Sequence, residues 1–180
     1  FLKRKLSEDN TDKFGKLSII TRALQSCYLN NNSADAYFVN LINSTEGEYS
    51  RYLFFYLASI IERKNFNEAK NIAEDIDLLS SNLIISQAKN WITQKKFENF
   101  EKFFSCKLEN DILGEFFFLI ANLYSSQDEF LRSNFYLNIS NYLNPKFYFN
   151  LTLLAENYFL SENYDLTRKV LNKFDNKYEV

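Results

Sequence analysis

Between residues 114 and 130, Phe117, Ile120, Ala121 and Tyr124 stand at offsets i, i+3, i+4 and i+7, one stripe along an α-helix. A polar break at 125–129 follows, and then a second stripe through Phe130, Ser133, Leu137 and Ser140 at offsets of 3, 7 and 10. Asn144-Pro145 ends that stripe, because the residue before proline is pushed out of the α region and proline donates no backbone hydrogen bond. Helix, short turn and antiparallel helix make an αα-hairpin. The unit recurs 34 residues later, with Leu151, Leu154, Ala155 and Tyr158 in the first stripe and Tyr164, Thr167, Leu171 and Phe174 in the second.

Two earlier segments keep the same order. Phe54, Leu57, Ala58 and Ile61 precede Phe66, Ala69, Ala73 and Ile76, and Ile84, Gln87, Ala88 and Trp91 precede Phe97, Phe100, Phe104 and Lys107. Ala58, Ala88, Ala121 and Ala155 are therefore equivalent, at spacings of 30, 33 and 34, as are Phe66, Phe97, Phe130 and Tyr164 at 31, 33 and 34. A period held over four copies predicts an all-α chain of stacked hairpins, a solenoid, in preference to a closed bundle. The shorter step after Ala58 predicts a tighter loop, and Phe100 at a position usually small predicts wider local helix packing.

Nearer the start, Ile20, Ala23, Leu24 and Cys27 form one stripe and Ala34, Tyr37, Phe38, Leu41 and Ile42 another, a degenerate hairpin whose second half departs from the pattern. The expectation is one repeat domain over 1–180 with about five antiparallel hairpins, near 16–43, 48–79, 81–108, 112–144 and 147–175. Residues 1–14 read as the end of a preceding helix or a linker. The last stripe ends at Phe174 without a polar capping helix, so either the natural chain continues or a second copy covers that end, a route to a homo-oligomer.

Composition sharpens this picture. Aromatic residues make up 18% and apolar residues 46% of the 180, against 24% charged, which argues for a folded chain. Three glycines and one proline leave little material for β-turns. A net charge of -2 and a pI near 5.4 disfavour nucleic-acid binding, which needs an excess of Lys and Arg. No apolar run reaches the length of a membrane span, so membrane insertion is not expected and the chain reads as soluble, cytoplasmic or periplasmic. Methionine is absent, so Phe1 is expected to follow a start removed by processing or truncation.

Candidate chemistry is sparse. Cys27 and Cys106 have no C-x-x-C spacing and the chain has no histidine, so neither a zinc site nor any other metal or cofactor is expected. Cys27, on an apolar stripe, reads as a small buried hydrophobe, with a disulfide as the alternative. Carboxylate pairs at Asp75/Asp77, Glu98/Glu101 and Glu8/Asp9 sit on segments that read as solvated faces. Without histidine or a glycine-rich loop, no catalytic residue is assigned and the chain reads as non-enzymatic.

On Phe117, Ile120, Ala121, Tyr124, Ser133, Leu137, Ser140 and Pro145, the chain resembles the tetratricopeptide repeat, a 34-residue pattern of W-x2-L-G-x2-Y, A-x3-F, A and P. The second copy is looser, with Thr167 and Phe174 at the two alanine positions. The resemblance implies a right-handed α-α superhelix and a concave surface lined by the first helix of each hairpin. Carried over residue by residue, it implies a partner-binding face of Tyr52, Phe55, Ser59, Arg63, Ile85, Lys89, Phe118, Asn122, Ser125, Thr152 and Glu156. That face suits an extended or helical peptide better than a charged ligand. Phe118 could instead pack between neighbouring repeats. Phe55, Ile85 and Phe118 stand where a clamp for an acidic chaperone tail would need lysine, which disfavours that adaptor role. The reading is thus a bacterial protein–protein interaction scaffold that binds a peptide or protein segment. The alternative is a regulatory or substrate-recruiting module of a larger enzyme.

Overall fold

A computed structural model describes residues 16–31, 33–43, 50–77 and 82–174. The expected linker at 1–14 and the chain end after 174 lie outside them. The described residues form ten α-helices: α1 (Lys16–Tyr28), α2 (Ala34–Ile42), α3 (Ser50–Glu62), α4 (Phe66–Glu74), α5 (Leu83–Thr93), α6 (Glu98–Phe103), α7 (Glu109–Ser125), α8 (Phe130–Leu143), α9 (Asn150–Leu160) and α10 (Tyr164–Leu171). None is long and apolar enough to cross a membrane.

The turn inside each successive pair is built the same way. Asn30, Lys64, Lys95, Asp128 and Glu162 all take a left-handed conformation, with φ between 50° and 62°. At Lys64 the backbone N–H donates to the Ile61 carbonyl, and the N–H of Asn65 donates to that of Ile60. The same two bonds recur as Lys95 to Ile92 and Lys96 to Trp91, as Asp128 to Ser125 and Glu129 to Tyr124, and as Glu162 to Phe159 and Asn163 to Tyr158. Asn30 and Asn31 bond to Cys27 and Ser26 in the same pattern. This is the Schellman closure, which satisfies carbonyls left over at a helix end. Glycine usually fills the left-handed position, because a Cβ there costs about 1–2 kcal/mol. None of the five residues here is glycine.

The described residues form two compact units, one up to Glu109 and the other from Asn110 onward. In the first, α3 is the central element and packs on α2, α4, α5 and α6. Its sequence, SRYLFFYLASIIE, is apolar nearly all round, and every residue from Phe54 to Ile61 is buried, as a helix surrounded by others requires. Phe54 stacks on Phe100 with ring centroids 5.4 Å apart, Trp91 meets Phe100 edge-on at 5.3 Å, and Phe55 lies 4.3 Å from Phe104. Phe100, where the sequence pattern leads to the expectation of a small residue, is a core ring on the six-residue α6, only 1% exposed.

Cys27 and Cys106 are joined in a disulfide with Cα atoms 5.5 Å apart, which ties α1 to the segment before α7. Both are buried, so Cys27 is a small core residue and also covalently bonded. Beside this tie, the Ser105 hydroxyl donates to Glu62, and the phenol of Tyr28 donates to Glu109.

In the second unit, Ala121, Leu137, Leu151, Leu154, Ala155 and Val170 form the core, with Phe118, Tyr136, Leu153, Tyr158 and Phe174 packed against it. Polar side chains set the spacing between helices. Asn157 is fully buried, and its amide donates to Ser133 Oγ at 2.7 Å and Asn134 Oδ1 at 2.8 Å, while its own Oδ1 accepts from Ser125 Oγ at 2.6 Å. Ser140 Oγ donates to the Gly114 carbonyl at 2.7 Å and accepts from Asn150 Nδ2 at 2.7 Å. At that crossing a Cβ on Gly114 would lie 3.3 Å from the Ser140 carbonyl oxygen, so α7 and α8 meet where the chain spends one of its three glycines.

Candidate functional site

Several side chains expected to line a binding face are interior. Tyr52, Phe55, Ser59 and Ile85 are 4%, 0%, 6% and 2% exposed, and so lie in the core of the first unit and not on a surface open to a partner. For Tyr52, Phe55 and Ser59 the physical reason is the central position of α3, whose second apolar face is used by neighbouring helices of its own unit, and Ile85 lies on α5, which packs on both α3 and α4. Arg63 is exposed and forks onto Asp35 of α2, with Nη1 and Nη2 donating at 2.9 and 2.6 Å. The bond to Asp35 holds the Arg63 guanidinium above its usual range, against the opposing effect of its burial. Nearby, burial first and then the charges of Asp35 and Glu68 push the Tyr56 phenol up to about 12.

In the second unit, Phe118 is half-buried and packed against the core. The hydroxyl of Ser125 is used by Asn157. Thr152 is exposed and donates to the Phe149 carbonyl at 2.7 Å, and Asn122 and Glu156 are exposed on α7 and α9.

Lys89, the remaining residue of the expected face, borders a groove. Its ammonium donates to the Ile76 carbonyl at 2.6 Å and reaches the Glu74 carbonyl at 3.5 Å. This places a cation at the carbonyl-rich C-terminal end of α4, where the helix dipole favours it. The groove runs between α4 and α5 and has a volume of about 430 Å³, within the range of ligand pockets. Phe66, Ala73, Ile92 and Phe97 make its floor, and Asn67, Lys70, Glu74, Lys89, Thr93 and Lys95 its rim.

The local fold explains this lining. Phe66, Lys70, Ala73 and Glu74 recur at helical offsets of 4, 7 and 8, and so share one face of α4. Lys89, Ile92 and Thr93 share one face of α5 by the same rule, and Thr93 Oγ1 donates back to the Lys89 carbonyl at 2.9 Å. Phe66 and Phe97 each stand two residues after a left-handed turn residue, Lys64 and Lys95, and stack with centroids 4.4 Å apart and planes 22° from parallel. The residues that open α4 and precede α6 thus meet along one side of the groove. Phe66 remains 40% exposed there.

The rim carries three lysines against one glutamate. Lys70 and Glu74 are 3.7 Å apart and mostly exposed, a pairing too weak to lock either side chain. Lys70 and Lys95 escaped the sequence reading because they lie on different segments and share no period. The usable signal was the equivalence of Phe66 and Phe97. Among the described residues no cluster of three His, Cys, Asp or Glu could hold a metal ion. No family model matches the chain, and no curated protein or solved structure does.

Proposed function

We propose that this chain is a non-enzymatic interaction scaffold of tetratricopeptide type, its helical pairs belonging to one right-handed superhelix, and that it binds a peptide or protein segment. The observation that carries the reading is the Schellman turn repeated in every successive helix pair, at Asn30, Lys64, Lys95, Asp128 and Glu162. Spacings of 34, 31, 33 and 34 residues between these positions match the period of the alanines and aromatics. The buried, nearly uncharged interior of each unit supports a packing role for most of the chain, and the α4–α5 groove supplies an open apolar trough of the kind that takes a peptide side chain.

The test is selection from a random peptide library on the immobilised chain, with an unrelated helical protein as control. A peptide-binding scaffold enriches a sequence class and binds its members in solution. Failure to enrich any peptide above the control rejects the reading.

A further inference from the structure

We infer that the α4–α5 groove is the peptide site and that its partner is an acidic amphipathic segment, with a bulky apolar side chain flanked by aspartate or glutamate. This inference rests on the scaffold reading and adds the chemistry of the guest.

The floor and the rim make two separate demands. Ala73 and Ile92 are buried and form the bottom, and the stacked rings of Phe66 and Phe97 add apolar surface beside them, a lining that suits an apolar side chain. A polar residue placed there would lose its water and gain no partner from these four side chains. Around that floor stand the ammonium groups of Lys70, Lys89 and Lys95, against the single carboxylate of Glu74, an excess of two positive charges in a chain whose net charge is -2. The Lys89 ammonium has three protons and gives two to backbone carbonyls, which leaves one for a guest. Among the described residues the Lys95 ammonium makes no ion pair or hydrogen bond, its backbone N–H being the group that bonds to Ile92, and the Lys70 ammonium is held only by the exposed pair with Glu74. Carboxylates of a guest would therefore meet cations that other contacts do not saturate.

A nucleic-acid strand fits less well. Glu74 interrupts the basic rim, and the Phe66 and Phe97 rings stack on one another at 4.4 Å, so each has already given one face to the other.

The experiment uses the full chain and the peptides enriched on it, measured by fluorescence anisotropy against wild type and against Lys70→Glu plus Lys95→Glu. The second substitution is conformationally mild, because a glutamate already occupies the same left-handed turn position at Glu162. Enriched peptides should carry an excess of Asp or Glu around an apolar residue and bind the double variant at least about tenfold more weakly. A second arm needs no altered protein: replacing the carboxylates of the best peptide by amides should weaken its binding to wild type by about the same factor. Peptides without acidic excess, or indifferent to both changes, overturn the inference and leave the scaffold reading standing. An empty selection overturns both. Tighter binding of a single-stranded RNA oligonucleotide at the same lysines would also overturn it.

Discussion

Breaking the Cys27–Cys106 bond gives the sharpest test of the first unit. The bond spans 79 residues and lies wholly within that unit, so it restricts most of the unit's unfolded chain. A loop of this length loses on the order of 15 cal/mol/K of unfolded-state entropy, equivalent to about 4.5 kcal/mol at 25 °C. Reduction leaves both thiols in buried sites that already accommodate sulfur, so little packing is lost and the entropic loss stands nearly alone. The single tryptophan, Trp91, sits in the core of this unit, 5% exposed against Phe100, and its fluorescence reports the loss of that core. With a urea slope on the order of 1.5 kcal/mol/M for a unit of this size, the midpoint should fall by about 3 M on reduction. The Cys27→Ala plus Cys106→Ala variant should match the reduced protein to within about 1 kcal/mol, the usual cost of small core changes. Thiol titration would show one disulfide in the oxidised sample and two thiols after reduction. A midpoint that moves by less than about 0.5 M, with both thiols titrated, would refute the reasoning and mean that unit 1 is closed by its aromatic core alone.

Three further outcomes follow from named contacts. Lys64→Gly should stabilise the chain by up to about 1 kcal/mol, since it relieves a Cβ in the left-handed region at some cost in chain entropy, whereas Lys64→Val should destabilise it, both measured by thermal unfolding. Asn157→Ala should cost about 1–3 kcal/mol by chemical denaturation, because Ser125, Ser133 and Asn134 lose their common buried partner. Tyr56 is a phenol whose folded pKa is raised to about 12 from an ordinary value of 10.0, so its neutral form is favoured by folding. Its contribution is complete below pH 10, and it is lost as the pH rises toward 12. Stability measured across that window should fall less steeply in Tyr56→Phe, and an unchanged slope would remove Tyr56 as the cause.

The elements were largely visible in the sequence, since stripes at i, i+3, i+4 and i+7 mark α3, α5, α7 and α9, polar breaks mark their ends, and Asn144-Pro145 marks the end of α8. The orientation of those stripes was not. In α3 apolar residues occupy every face, so the pattern cannot tell Phe54, which meets Trp91, from Phe55, assigned to a binding surface and found in the core. The turns were also hidden, because their left-handed residues are Asn, Lys, Lys, Asp and Glu, none of which announces that conformation as glycine would. The groove could not be seen from periodicity either: its floor and rim come from α4, α5 and the turn beyond, and only their packing brings Lys70 and Lys95 to one opening.

The glycine-free reversals have a consequence for how such a chain can evolve. A bend held by two main-chain bonds asks of its side chain only that it tolerate the left-handed conformation, so letters not branched at Cβ can replace one another there while the wire stays creased in the same places. Corners with no letter in common can then close alike, which makes bond topology a more dependable mark of these reversals than residue identity.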